Sequence, residues 1–151
     1  MKFNTQTRNS IIRIICYIYV VLFTYVATSK LLDFENFRIQ LGQSPLLSAF
    51  AFWISVAVPV SEIIIAILLL IPKFRFLGLF AAYSLMVMFT AYIYIILNYS
   101  SFIPCSCGGV LEKMTWNQHL VFNICFIILG GTAILITPSK NLFIHRQTLK
   151  L

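Results

Sequence analysis

The sequence that divides the second half of the chain is PCSCGG, at residues 104–109, a polar, turn-rich break between two long apolar segments. Pro104 stops the preceding helix from continuing, because proline has no amide hydrogen and restricts the residue before it. The two glycines allow the backbone to turn and a partner to approach closely. Cys105 and Cys107 are one residue apart, so we expect them to bond to each other, to bond to a partner's sulfur, or to ligate a metal.

Outside this break the chain is too apolar for a soluble protein. Its 151 residues are 60% hydrophobic and 10% charged, with a mean hydropathy of +0.93, whereas about a quarter of the residues of a soluble domain are charged. We therefore predict an all-α integral membrane protein of one domain. The net charge of +7 does not indicate nucleic-acid binding, because the basic residues lie at the ends of apolar runs, where they set topology.

Four apolar segments are each long enough to cross the bilayer, which takes about 20 helical residues. The predicted spans cover residues 11–32, 48–71, 76–97 and 116–136. The first run is too long for a signal peptide, so we interpret it as a retained helix. Residues 33–43 are expected to form a charged loop, with a short amphipathic helix at the membrane surface. Helices with short connections pack as an antiparallel bundle, and we predict one four-helix bundle over residues 1–151.

The distribution of Lys and Arg predicts the orientation of this bundle. Eight of these residues lie at the two termini and in the turn at residues 72–75, and three lie on the other side. The larger group is Lys2, Arg8, Arg13, Lys73, Arg75, Lys140, Arg146 and Lys150, and the smaller is Lys30, Arg38 and Lys113. Because cytoplasmic connections are rich in Lys and Arg, we predict cytoplasmic termini in a bacterial inner membrane. Cys105 and Cys107 then face the periplasm, where disulfides persist.

Polar residues recur at helical spacing within all four spans. Because polar groups are costly in lipid, we expect these faces to point into the bundle. The residues that share these faces, polar ones and their neighbours on the same side, are Tyr17, Thr24 and Thr28 in the first span, Ser48, Ser55, Pro59 and Glu62 in the second, Tyr83, Thr90, Tyr94 and Asn98 in the third, and Trp116, His119, Asn123, Ile127 and Gly130 in the fourth. Together they predict a polar seam that leads inward from the cysteine pair.

Several of these residues also have a purely structural interpretation. Glu62 could be a neutral carboxylic acid that serves helix packing, unless a cation or water reaches it. Lys30, at a helix end, is interpreted as a topology anchor whose ammonium group extends to the surface. Trp116 fits an interfacial aromatic belt. Cys16 and Cys125 are interpreted as small buried apolar residues.

A set of residues spread over the chain carries a resemblance to a known family. They are Tyr25, Ser29, Lys30 and Asp33 at the end of the first span, Pro59 and Glu62 in the second, the PCSCGG stretch, and Trp116, His119 and Asn123 after it. This combination resembles the MauE/DoxX-like membrane proteins, and most of all the MauE branch, from about residue 17 to 136. MauE-branch proteins often have Phe-Gly after Cys-x-Cys, where this chain has Gly108-Gly109. The resemblance implies a four-helix inner-membrane protein linked to redox chemistry: disulfide formation in a periplasmic partner for MauE-like members, sulfur compounds and quinone for DoxX-like members.

The cysteine pair leads to a redox hypothesis. A disulfide across one intervening residue closes a small, strained ring that is easily reduced. We therefore expect Cys105 and Cys107 to exchange disulfides with a periplasmic protein, with His119 as a third catalytic residue that stabilises a thiolate. A membrane quinone is the expected electron partner, since no second cysteine pair is evident.

The supporting polar residues in this hypothesis are Lys30, Glu62, Trp116 and Asn123. Lys30 would also stabilise the thiolate if it lies near the cysteines, and Glu62 would hold the quinone ring or move protons. Two other functions remain open from the sequence, whereas a transporter fits poorly, because four helices without an inverted repeat would have to oligomerise. One is a metal-binding protein with Cys105, Cys107 and His119 as ligands. The other is a non-catalytic membrane chaperone or scaffold for a secreted partner.

The topology prediction can be tested by thiol labelling. A membrane-impermeant thiol reagent, added to cells with a permeabilised outer membrane, should label Cys105 or Cys107 after mild reduction. The Cys105→Ala, Cys107→Ala double variant serves as the unlabelled control. Labelling that requires lysis of the inner membrane would contradict both the orientation and a periplasmic redox role.

Overall fold

The structure, a computed structural model, describes residues 5–44, 47–99 and 115–137, and its regular elements in these ranges are all helices. They are α1 (Thr5–Leu32), α2 (Phe34–Gln43), α3 (Ala51–Leu70, preceded by a 3₁₀ turn at Ser48–Phe50), α4 (Arg75–Tyr99) and α5 (Trp116–Ile136). Four of them, α1, α3 with its 3₁₀ turn, α4 and α5, are long and apolar enough to cross a membrane. The predicted fold class is confirmed, and the chain is a multi-pass membrane protein.

The short helix α2 lies between the first two spans, where the sequence predicts a loop with an amphipathic helix. Asp33 occupies the position before its first turn, and the chain leaves the helical conformation at Ser44. Ser44 is buried and accepts a hydrogen bond from the Tyr92 hydroxyl of α4, at 3.0 Å. Helix α2 packs against α3, so it forms part of the bundle as well as a connection.

The bundle is closed by contacts between its first and last spans. Helix α1 packs mainly on α3, α4 packs on α3 and α5, and α5 returns to α1. Tyr19 of α1 is fully buried, and its hydroxyl donates to the backbone carbonyl of Phe126 in α5, at 2.5 Å. The two rings meet edge to face, with centroids 5.4 Å apart. Because a hydroxyl within a bilayer has no water to bond, this acceptor is what allows a tyrosine to occupy the core.

The predicted polar faces hold for α3 and α5, hold in part for α4, where Tyr83 and Thr90 are half-buried, and fail for α1. Ser55 and Glu62 of α3 and Asn123 of α5 are buried as expected, although Ser48 is exposed. In contrast, the first-span residues Tyr17, Thr24 and Thr28 and the third-span residues Tyr94 and Asn98 are exposed. Thr28 donates to the carbonyl of Thr24, and Asn98 donates to that of Tyr94. Side chains that bond their own helix backbone can lie on either side of the helix, and Ser55, which donates to the carbonyl of Phe52, is buried. Spacing alone therefore does not determine where such side chains lie.

The two cysteines outside PCSCGG lie in different surroundings. Cys16 is buried in the core, as predicted, whereas Cys125 is exposed on the outer surface of α5. The prediction that Cys125 is buried is therefore wrong. A thiol is apolar enough to face lipid, so hydrophobic character does not determine which side of the helix it occupies.

Gly130 provides a test of the close contact between α1 and α5. A methyl group at Gly130 would lie 2.6 Å from the Tyr19 hydroxyl oxygen, whereas one at Gly131 would meet only the ring of Tyr83, at 3.6 Å. We expect Gly130→Ala to lower the free energy of unfolding by about 1–3 kcal/mol through overpacking. Gly131→Ala, the matched control, should be neutral or stabilising, because alanine favours the helix. Unfolding of both variants in mixed micelles measures the difference, and equal stabilities would contradict the assigned packing.

Candidate functional site

A cavity of about 630 Å³ lies at one end of the bundle, where α1 and α4 end and α3 and α5 begin. We call this the cavity end. Most of its lining is apolar, contributed by α1 to α5, with a few polar side chains among it. The polar and amphipathic lining residues are Ser29, Lys30, Asp33, Gln40, Ser61, Glu62, Tyr92, Trp116, His119 and Asn123. An apolar cavity of this size with few polar groups is typical of a small-molecule site.

A buried ion pair crosses this cavity end. The Lys30 ammonium of α1 lies 2.5 Å from Oε1 of Glu62 in α3, whose side chain is fully buried. Phe37 and Phe89 face the same ammonium, with their ring centroids 5.6 and 5.2 Å away, so cation–π attraction adds to the pairing. The interpretation of Lys30 as an anchor extending to the surface is therefore wrong. Contact with a carboxylate stabilises the ammonium group of Lys30 more than partial hydration at the surface would. The same contact gives the carboxylate of Glu62 the cation that a buried charge requires.

The first turn of α5 is positioned by a capping box. The hydroxyl of Thr115 accepts from the Gln118 amide at 3.3 Å, and the Gln118 side chain accepts from the Thr115 amide at 2.9 Å. Two amide groups that a helix start leaves unpaired are thereby satisfied. This geometry directs Trp116 and His119 toward the cavity, with their rings stacked at a centroid distance of 6.4 Å.

Two buried atoms of the cavity lining have no hydrogen-bond partner among the residues that the structure describes. They are Oε2 of Glu62, the second oxygen of the ion-paired carboxylate, and Nδ2 of Asn123 on α5. Both residues line the cavity, and both are buried, with exposed fractions of 0% and 2%. Unpaired buried polar atoms are costly. The wall of the cavity therefore contains one acceptor and one donor that have no partner among the described residues.

The family-level comparison matches nearly the whole chain. The family model described as methylamine utilisation protein MauE matches residues 8–136. The chain belongs to the MauE family. This confirms the resemblance to the MauE branch seen in the sequence. Comparisons with curated proteins and with solved structures give no match.

The MauE fold brings five of the seven predicted site residues to one cavity: Lys30, Glu62, Trp116, His119 and Asn123. The other two, Cys105 and Cys107, lie outside the described residues, although the MauE match spans both. Within residues 5–44, 47–99 and 115–137, no group of three or more His, Cys, Asp or Glu side chains could hold a metal ion.

Some cavity residues were missed by sequence reasoning about polar faces. Ser61 directly precedes Glu62 and Ser29 directly precedes Lys30, and this adjacency in the sequence could have predicted that both serines line the cavity. Phe37 and Phe89 gave no signal, because aromatic residues occur throughout the spans. Tyr25, part of the family resemblance, is exposed on the outer surface of α1.

The ion pair predicts a strongly coupled double-mutant cycle. Lys30→Met leaves a buried carboxylate without a cation, and Glu62→Leu leaves a partly buried ammonium without an anion. Each should lower the free energy of unfolding by about 3–5 kcal/mol, whereas the double variant should regain most of that loss. The control is the exposed pair of Glu35 and Arg38, 3.0 Å apart, where Glu35→Gln should cost less than about 1 kcal/mol. Additive losses for the Lys30 and Glu62 variants would contradict the pairing.

Proposed function

We propose that this MauE-family protein is a membrane thiol–disulfide redox protein, in which Cys105 and Cys107 exchange a disulfide with a partner protein on the periplasmic side. Chain connectivity at the cavity end carries the proposal. Tyr92 lines the cavity, and α4 ends at Tyr99, about 10 Å further along at 1.5 Å per residue. The chain is described again from Thr115, one turn before His119. The segment with both thiols is thus tethered on both sides to the end of the bundle that holds the polar cavity.

The proposed exchange uses both cysteines in sequence. A thiolate of the partner attacks one sulfur of the Cys105–Cys107 disulfide, which forms a mixed disulfide and releases the other sulfur as a thiolate. A second thiolate of the partner then attacks its own sulfur in the mixed disulfide, so that the partner leaves oxidised and Cys105 and Cys107 leave reduced. His119, one turn into α5, is the proposed group that stabilises the thiolate, because the ammonium of Lys30 is already paired with Glu62.

Continuous turnover requires that two electrons leave the reduced cysteine pair. Cys16 is buried in α1 and Cys125 is exposed on the outer surface of α5, so neither is proposed as a relay. The acceptor we propose is a lipid-soluble quinone. The family description refers to methylamine utilisation, and we propose a periplasmic protein of that process as the partner.

The potential of the cysteine pair provides the first test. The purified protein should titrate as a two-electron couple above about −300 mV, the range below which structural disulfides lie. Cys105→Ser or Cys107→Ser should abolish the couple, whereas the controls Cys16→Ala and Cys125→Ala should leave it unchanged. If both thiols stay reduced at every potential and the double serine variant remains active in cells, a scaffold function would replace the redox one.

The same cysteines allow the partner to be trapped. Disulfide exchange is reversible, so in cells carrying Cys105→Ala or Cys107→Ala the one remaining thiolate can attack the disulfide of the oxidised partner, which forms a mixed disulfide and releases a thiolate of the partner. The pair then has no second thiolate to carry the reverse exchange further, so this mixed disulfide should accumulate. Non-reducing electrophoresis followed by mass spectrometry identifies the attached protein, and the Cys105→Ala, Cys107→Ala double variant sets the background.

A further inference from the structure

We propose that the cavity binds the head group of a membrane quinone and favours its reduced form, the quinol, over the oxidised quinone. This rests on the proposed function in one respect: the quinone would accept the electrons of Cys105 and Cys107. The site itself is argued from the described residues around Glu62 and Asn123.

The cavity has the size and polarity that a quinone head group requires. Its volume of about 630 Å³ falls within the range of small-molecule sites. The aromatic rings of Phe23, Phe37, Phe89 and Phe122 contribute to its lining. Met88 also lines the cavity and is 55% exposed, so on the α4 side the wall is continuous with the outer surface of the bundle. In the proposed site, a ligand dissolved in the bilayer enters from that side.

The two unpartnered atoms define the polar groups that the ligand must carry. Oε2 of Glu62 requires a donor, and Nδ2 of Asn123 requires an acceptor. Lys30 does not fill either role, because its ammonium is held by Oε1 of Glu62 and faces two aromatic rings. A ring with oxygen substituents, at least one of which carries a hydrogen, meets both requirements. A lipid acyl chain fills the volume but leaves both atoms unpaired.

Glu62 distinguishes the two oxidation states. A quinol hydroxyl can donate to Oε2, whereas a quinone carries only carbonyl acceptors, which an ionised carboxylate repels. Asn123 can donate to an oxygen of either form. Glu62 therefore sets the preference for the reduced form, and Asn123 contributes affinity for both.

The preference for quinol favours electron transfer from the thiols to the quinone. Oxidation of the dithiol to a disulfide releases two electrons and two protons, and a quinone that takes up both becomes the quinol. A site that binds the quinol more tightly than the quinone raises the midpoint potential of the bound couple, by about 30 mV for each factor of ten in affinity. Such a site favours oxidation of Cys105 and Cys107.

The chain offers a built-in probe of occupancy. It has two tryptophans, Trp116 in the cavity lining and Trp53 on the outer surface, 71% exposed. In a Trp53→Phe background that also carries Cys105→Ser and Cys107→Ser, quenching of Trp116 fluorescence reports binding of decylubiquinone. Decylubiquinol is measured by its displacement of the quinone. A Trp116→Phe protein that retains Trp53 corrects for quinone dissolved in the micelle.

We expect decylubiquinol to bind at least about tenfold more tightly than decylubiquinone, the ratio that a hydrogen bond to a charged group provides. Glu62→Gln should remove this preference, and so should the Lys30→Gln, Glu62→Gln double variant, which leaves no uncompensated charge. Asn123→Leu should weaken both forms and keep their ratio. Thermal unfolding identifies any variant that is not folded.

Three results would overturn the inference: equal affinity for both forms, quenching that is the same without Trp116, and a co-purified phospholipid that neither form displaces. Because the probe protein lacks Cys105 and Cys107, its result is independent of the thiol titration. If the binding assay shows the quinol preference but the thiol titration shows no two-electron couple, only the proposed function is contradicted. If the titration shows the couple but the binding assay shows no quinol preference, only this inference is contradicted.

Discussion

The buried ion pair between Lys30 and Glu62 is the interaction on which this end of the bundle depends. In the low dielectric of a bilayer, neither charge is tolerated unless the other is within contact distance. The pair joins α1 to α3 at the level where the cavity forms, and Phe37 ties it to α2 through the ammonium. The ion pair and its cation–π contact therefore fix the positions of α1, α2 and α3 relative to one another at this end of the bundle. The same pairing leaves one carboxylate oxygen without a partner in the described part of the chain, so the contact that stabilises the fold also leaves an acceptor in the wall of the cavity.

The fold was largely predictable from sequence, because the bilayer restricts a chain of this composition to very few structures. Apolar runs of sufficient length must be helices, and the predicted spans correspond closely to the helices observed. The errors came from residues whose outcome depends on a neighbour in space. Thr24 and Thr28 have the spacing of an inward face, but a hydrogen bond within α1 satisfies Thr28. Periodicity cannot show whether a threonine bonds to its own helix or to a neighbouring one.

The candidate site was predictable in its members but not in its geometry. Glu62, His119 and Asn123 stand out because polar residues are rare in apolar spans. Lys30 was recognised, yet its role was wrong, because a lysine near a helix end is consistent with both surface exposure and internal pairing. Its partner lies on another helix, and only the packing of α1 against α3 determines which of the two occurs. The amide of Asn123, which has no partner among the described residues, likewise has no signature in the sequence.

The capping box at Thr115 and Gln118 has a consequence for how such proteins diverge. Both of its hydrogen bonds form between Thr115 and Gln118 within the first turn of α5, so the two side chains depend on each other. Neither residue is part of the cavity lining, yet the turn that they fix carries Trp116 and His119, which are. Related sequences should therefore replace Thr115 and Gln118 as a pair, because a substitution at either one alone leaves an amide of the helix start unpaired and acts on the cavity indirectly.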